Sequence, residues 1–451
     1  MAGSTSPRAG LIHTLEPWAD LLLVLGIALG TVDTKGVSLG YLCHSLIAAW
    51  VLFRCLANGL SSRDDSGRIL YYGLVLLVSF TLRALVLDGK DNEYVTTPNS
   101  IQDWILVLAG FAIGCRTGLR QWNRFWQMWL LASVVVAAAT WGWLRGANVS
   151  FLPDLQLGLY WTSMAGYLIG ISAIVAAAFL IVRGRPLQTV VAGLALAASL
   201  VGLAAAESRA SQSFVVLALA VSAGTTALLR NPTAPWLKPF RQNPRRLKQL
   251  AHGLLMAASS LGVALWAWIT FSNQASFLAS IQWLNPSDQG RAILSRCYFG
   301  IPFSGGNRFL MGGGFQRSRE IYCPSSKTHI NDLLGLDPNK TFTHAHNLWA
   351  QIAGDSGMLA LLVAIFICAA LIRFWATALG QLPQSRIASL QRHLIISGAI
   401  AVFFFLCSFV HGAVIHSQEL LALFGYTLAA PFSLLSRQEA EAEAKAGAEA
   451  G

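Results

Sequence analysis

The sequence predicts an all-α polytopic membrane protein of about twelve transmembrane helices with one long, partly helical outer loop. Three observations carry that prediction. Hydrophobic residues make up 55% of the 451 and charged residues only 12%, with a mean hydropathy of +0.54, too apolar for a soluble domain of this length to stay dispersed. The apolar residues fall in stretches close to the roughly 20 residues that a bilayer-spanning helix needs. A single long polar stretch, about 272–346, interrupts them.

In chain order the candidate spans fall near 17–33, 38–58, 69–87, 103–119, 125–144, 160–182, 189–206, 212–229, 250–271, 357–379, 393–412 and 419–436. The fourth, seventh and eighth are short and rich in Gly and Ala, which leaves a re-entrant path open for one of them. No short apolar core with a small-residue cleavage site precedes the first span, so no cleavable signal is expected. The organisation is then residues 1–271 with about nine spans, 272–346 as a large outer loop carrying the site, 347–436 with about three spans, and 437–451 as a cytoplasmic tail. That Ala/Glu/Lys-rich tail reads as a frayed or solvated helix.

Sidedness follows from the basic residues. With a cytoplasmic N-terminus, twenty of the 32 Lys and Arg fall at cytoplasmic helix ends and loops. Five (Lys35, Arg83, Lys90, Arg145 and Arg209) fall on the opposite side outside the long loop, which places that loop outward and both termini in the cytoplasm. The net charge of +11 is accordingly a topology and anionic-lipid signal; no nucleic-acid partner is expected. The loop Arg230–Gln249, with six basic residues, no acidic one and four prolines, fits a headgroup-binding loop. Walker and GxGxxG patterns are absent, which argues against an ATP-driven pump.

The outer loop concentrates the chemistry. It holds seven basic residues, among them Arg291, Arg296 and Arg308, interleaved with Tyr298, Phe299, Phe303, Phe309, Phe315 and Tyr322. Guanidinium forks with aromatic faces suit a sugar-phosphate ligand; an ordinary loop near lipid headgroups has the same composition. Gly305-Gly306 and Gly312-Gly313-Gly314 mark places where the backbone approaches a ligand closely or simply turns. Cys297 and Cys323 stand in this loop, away from the five cysteines in or beside apolar segments, and an oxidising compartment would let them pair. The loop closes on Thr343-His344-Ala345-His346-Asn347, and His346 is the leading catalytic candidate.

His346-Asn347, nine residues and then Gly357 resembles the His-Asn-x9-Gly pattern of the O-antigen ligase and polymerase superfamily of bacterial membrane glycosyltransferases. Glu207-Ser208-Arg209 is similar to that family's Ser-Arg element between two helices, and Arg291 to the arginine opening its long loop. Asp355 stands where members often have glutamate, and Ala360 where many have glycine. The resemblance covers mainly 200–380. It implies a GT-C-like fold in the bacterial inner membrane and transfer, with inversion, of a glycan from a polyprenyl-diphosphate carrier to a hydroxyl of a glycolipid acceptor resembling lipid A-core. His346 would be the base, Arg209 and Arg291 would neutralise the leaving diphosphate, and His344, Asn347 and Arg296 would contact substrate. No cofactor and no metal is implied; Asp88, Asp91 and Glu93 form the acidic set that could hold a cation instead.

Local geometry adds expectations. Asn347–Ala353 would form a short helix before the Gly354-Asp355-Ser356-Gly357 breaker, with His346 at its N-terminus, where the helix dipole disfavours imidazolium. Asp355, nine residues on, is about half a turn out of phase with His346 and so badly placed to orient it unless the chain bends back. Other assignments stand beside these: an interfacial hydrogen-bonding role for His346, a snorkelling role for Arg209, and for the whole chain a polysaccharide polymerase, a protein O-oligosaccharyltransferase or a secondary transporter.

Overall fold

A computed structural model describes residues 162–182, 184–205, 209–230, 263–314, 345–381, 388–410 and 418–430, with shorter pieces before them, chiefly 32–34, 37–38, 73–77, 122–131, 150–152 and 155–157. Most of the first five expected spans, most of the basic loop after Arg230, residues 315–344 and the tail lie outside the described residues. Helices dominate. In order they are α1 (Thr162–Ile181), α2 (Pro186–Ala205), α3 (Arg209–Arg230), α4 (Gln274–Ile281), α5 (Pro286–Gly300), α6 (Arg308–Met311), α7 (Leu348–Gln381), α8 (Ala388–Val410) and α9 (Gln418–Leu428). Among the described residues, three stretches are long and apolar enough to cross a membrane: Pro186–Ala204, Leu348–Ile372 and Ala388–Phe409. Gly166–Ile181 and Ser211–Thr226 are shorter apolar helices.

The expectation of an all-α chain needs one correction. Four short strands, β1 (Val32–Thr34), β2 (Val37–Ser38), β3 (Ser150–Leu152) and β4 (Leu155–Leu157), form an antiparallel sheet in the order β2-β1-β4-β3. Each hairpin belongs to a loop expected on the outer face. The central pairing sets Asp33 opposite Gln156 and joins the two hairpins. Strands of two or three residues carry too little periodicity to stand out beside apolar segments, and a two-stranded hairpin is marginal alone, so the sheet depends on pairing between distant loops.

The helices around α8 pack antiparallel to it, which defines two ends of a bundle. Tyr167 of α1 meets Phe403 at 5.9 Å between ring centroids, while Phe179, further along α1, lies 4.7 Å under the Arg392 guanidinium. On α3, Val215 reaches the level of Phe403 at Gly170, and Ser222 donates to the Ile395 carbonyl at 2.9 Å. On α7, the Trp349 indole donates to the Ser408 hydroxyl at 2.9 Å, and Trp375 lies beside Gly398. Gln212 donates to the Leu203 carbonyl at 2.8 Å and ties the end of α2 to the start of α3. Helices α2 and α3, the seventh and eighth expected spans, therefore run from one end of the bundle to the other. Arg185, Arg230 and Arg392 fall at one end; Arg209 and His346 fall at the opposite end.

Buried aromatic packing holds the interior. Phe403, Phe404, Ile396 and Ile400 of α8 share one buried core with Ile171, Ile174 and Phe179 of α1. Trp122 lies tilted 3.8 Å from Tyr426, and the Trp126 indole donates to His393 Nδ1 at 3.0 Å, satisfying one polar atom of a buried histidine.

At the His346 end, α4 and α5 form a helical hairpin with its own core of Phe277, Ile281, Ile293 and Leu294. Capping explains its starts. Asn273 Oδ1 accepts from Ser276 N at 2.7 Å; Asn285 Oδ1 accepts from Asp288 N at 2.9 Å, with Pro286 at the first helical position, where a missing N–H costs nothing. A 3₁₀ turn, Ile301–Phe303, follows α5 and leads into α6.

Candidate functional site

His346 stands immediately before the cap of α7. Asn347 Oδ1 accepts from the backbone N–H groups of Trp349 and Ala350, at 3.0 and 3.1 Å, and the Asn347 carbonyl accepts from Gln351 N at 2.9 Å. The expected short helix is present. Gly357, with φ 88°, breaks the helical run, so residues 348–356 form a separate helical piece before the long apolar one. Asn347 is thus a helix cap, which is the use the fold makes of the residue expected to touch substrate.

His346 itself adopts φ 52°, the one positive value for a non-glycine among the described residues. For an L-residue the left-handed conformation costs roughly 1–2 kcal/mol, so its neighbours must hold it there. They do so through Ala345, whose N–H donates to Gln351 Oε1 at 2.7 Å and whose carbonyl accepts from the Ser295 hydroxyl at 3.2 Å. The Gln351 amide in turn donates to the Asp355 carboxylate. Gln351, Asp355 and Ala345 are all buried. Asp355 therefore does act on His346, through an intermediate. Asp355 and Gln351 are four residues apart and share one helix face, which is the in-phase spacing that the count from His346 does not measure.

Helix α5 delivers Arg291 to the same corner. Arg291, Ser295 and Tyr298 recur at helical spacing along one face; Ser295 bonds to Ala345, and Tyr298 packs against Gly354, where a Cβ would come within 2.7 Å of its ring. Arg291 lies one turn, about 6 Å, before Ser295. Its guanidinium pairs with the Asp288 carboxylate at 3.0 Å. Arg209 opens α3 at this end of the bundle, its side chain outside the described residues. His344 and Cys323 also lie outside them.

Arg296 serves the hairpin instead. It donates to the Ser272 carbonyl at 2.5 Å and lies 4.6 Å over the Phe277 ring, a desolvated setting that lowers its pKa from the usual arginine value. Five residues separate it from Arg291, which turns the two about 140° apart around α5. Cys297 is disulfide-bonded; Cys115, Cys368 and Cys407 carry no disulfide, so its partner lies outside the described residues. Among the described residues no group of three or more His, Cys, Asp and Glu is placed to hold a metal ion.

The Gly-rich stretch approaches backbone. Gly313 N donates to the Gly354 carbonyl at 2.7 Å and Gly314 N to the Asp355 carbonyl at 3.1 Å. A Cβ on Gly312, at φ 73°, would lie 2.3 Å from the Asp355 carbonyl oxygen, and one on Gly357 would lie 2.6 Å from the Leu310 carbonyl. Loop and helix meet here main chain to main chain. Sequence reasoning missed Gln351 and Ser295; a Gln351-x3-Asp355 pair within an otherwise apolar stretch was the available signal for the former. No protein-family model matches the chain, and no curated protein matches it.

Proposed function

We propose that the chain is an O-antigen ligase-like glycosyltransferase. It moves a glycan from a polyprenyl-diphosphate carrier to a hydroxyl of a lipid A-core-like acceptor at the outer face of the bacterial inner membrane, with inversion and without metal. Both termini are cytoplasmic, about twelve helices span the bilayer, and the fold is GT-C-like. One observation carries this function. A histidine in a left-handed conformation, clamped through Ala345 by Gln351 and Ser295, shares a bundle end with two arginines drawn from elements distant in sequence. Strained, over-determined backbone collects at sites where geometry matters for chemistry.

In the reaction, a ring nitrogen of His346 takes the proton of the acceptor hydroxyl. The freed oxygen attacks the anomeric carbon, and the bond to the diphosphate breaks with its electron pair. Arg291 and Arg209 neutralise the charge that collects on the departing polyprenyl diphosphate, and electrostatic stabilisation of this kind usually lowers a barrier more than any other single effect. A disulfide at Cys297 suits an oxidising compartment on this side of the membrane.

Surface glycolipid from a deletion strain tests the proposal. Bare acceptor together with long polymer retained on carrier marks a ligase; acceptor bearing one repeat unit marks a polymerase; unchanged glycolipid refutes both. With purified protein, His346→Ala should keep donor binding while turnover falls by about two orders of magnitude or more. Arg291→Ala or Arg209→Ala should weaken donor binding as well, with lysine a partial substitute because it lacks the planar fork. Full activity in chelator is expected.

A further inference from the structure

We propose that Ile301–Met311 is a membrane-dipping wedge whose partner is the phospholipid leaflet on the His346 side. The segment comprises the 3₁₀ turn Ile301–Phe303, the polar turn Ser304-Gly305-Gly306-Asn307, and α6. Phe303, Phe309 and Leu310 are exposed, at 39%, 48% and 55%, on an element lying outside every apolar span. Exposed large side chains clustered this way mark a surface that meets something apolar.

Continuity with the bilayer-facing part of the chain identifies what they meet. Phe303 lies 5.1 Å from Phe271 and 5.7 Å from Trp266, and Phe309 lies 5.9 Å from Phe303, an unbroken aromatic ladder. Trp266 and Phe271 belong to helical residues 263–271, whose Val263, Leu265, Trp268 and Phe271 are themselves exposed and which close the apolar stretch 250–271. Outward-facing apolar side chains that end in an aromatic cluster form the pattern of a membrane–water boundary. Within the wedge the Arg308 guanidinium turns back to the Ser304 hydroxyl at 2.8 Å, which places its charge toward the polar turn, where it would meet lipid phosphates.

The wedge is also coupled to the site. Gly313 and Gly314, just beyond α6, bond to the carbonyls of Gly354 and Asp355, and Asp355 belongs to the chain of bonds that holds Ala345. The depth of Phe309 in the leaflet therefore sets the height of His346 above it. That height decides which part of a lipid-linked molecule reaches the histidine. This last consequence rests on the proposed function; the lipid contact does not.

The test places p-benzoyl-phenylalanine at Phe303, Phe309 or Asn307 of the full-length protein in phospholipid nanodiscs, followed by irradiation and intact-mass analysis. Probes at Phe303 and Phe309 should form phospholipid adducts several-fold more often than the probe at Asn307 in the polar turn. Equal yields at the three positions, no adducts at Phe303 and Phe309, or crosslinks between two protein copies would overturn the proposal. Should the probe at Phe303 disturb the ring ladder, shown by a loss of monodisperse elution, Leu310 replaces it with the same expectation. The readout needs no transfer activity, so an inactive glycosyltransferase assay leaves this result intact.

Discussion

Gln351 is the residue whose replacement most directly tests how His346 is held. Gln351→Leu removes the acceptor of the Ala345 N–H and the donor to the Asp355 carboxylate at nearly constant volume. An orphaned buried N–H costs about 1–3 kcal/mol. The left-handed backbone of His346 already stores roughly 1–2 kcal/mol, so relaxation of this residue is the cheapest way to relieve the new cost. If the whole 1–3 kcal/mol goes to displacing His346, the competent population falls about 5- to 150-fold. Single-turnover transfer should accordingly fall by about ten- to a hundredfold, while binding of a polyprenyl-diphosphate analogue changes by less than about threefold, because the arginines are untouched. A swap separates positioning from mere damage. Gln351→Glu alone sets two carboxylates against each other; combined with Asp355→Asn it restores one acceptor for Ala345 and one donor across the pair, and transfer should recover by about tenfold over Gln351→Glu. Wild-type transfer by Gln351→Leu, or a swap no better than the single substitution, would refute the clamp.

Further outcomes follow from the same geometry. Asn347→Ala should lower stability by about 1 kcal/mol through loss of the cap, while Asn347→Asp keeps it; equal melting temperatures for the two would count against the capping role. Gly312→Ala should destabilise by on the order of 3 kcal/mol, from overpacking against the Asp355 carbonyl and a left-handed backbone. Gly300→Ala, with nothing within 4 Å, should be neutral or slightly stabilising, and matching thermal shifts for the two would contradict the main-chain docking. Non-reducing peptide mapping should link Cys297 to Cys323; a link to Cys43 or Cys55 would show that the loop is tied to a different part of the chain.

Residue types and spacing already carried much of the His346 corner. The cap at Asn347 and the breaker at Gly357 are local signals, and both act as their chemistry dictates. What stayed hidden depended on distant partners. Phase counting measured Asp355 against His346 and set it badly placed unless the chain bends back, whereas Asp355 accepts from Gln351, one turn back and in phase. Arg291 and Arg296 were equal candidates by composition; only the docking of α5 on residues 345–354 sets Arg291 on the face that carries Ser295 against Ala345 and leaves Arg296 over Phe277. The Gly312 stretch was legible as a close approach, but the sequence pointed to a ligand where the fold sets the main chain of Gly354 and Asp355.

The small sheet constrains the path of the chain independently of hydropathy. Because β1 hydrogen-bonds to β4, the two hairpins occupy the same side of any bilayer that the intervening chain crosses. The number of crossings between Ser38 and Ser150 must then be even. Four apolar segments lie in that interval, and the shortest of them, near 103–119, invites a re-entrant path that would leave three. In the expected topology an odd parity would strand the hairpins on opposite faces, too far apart to share a single hydrogen bond, so the β1–β4 pairing counts against a re-entrant path for that segment alone.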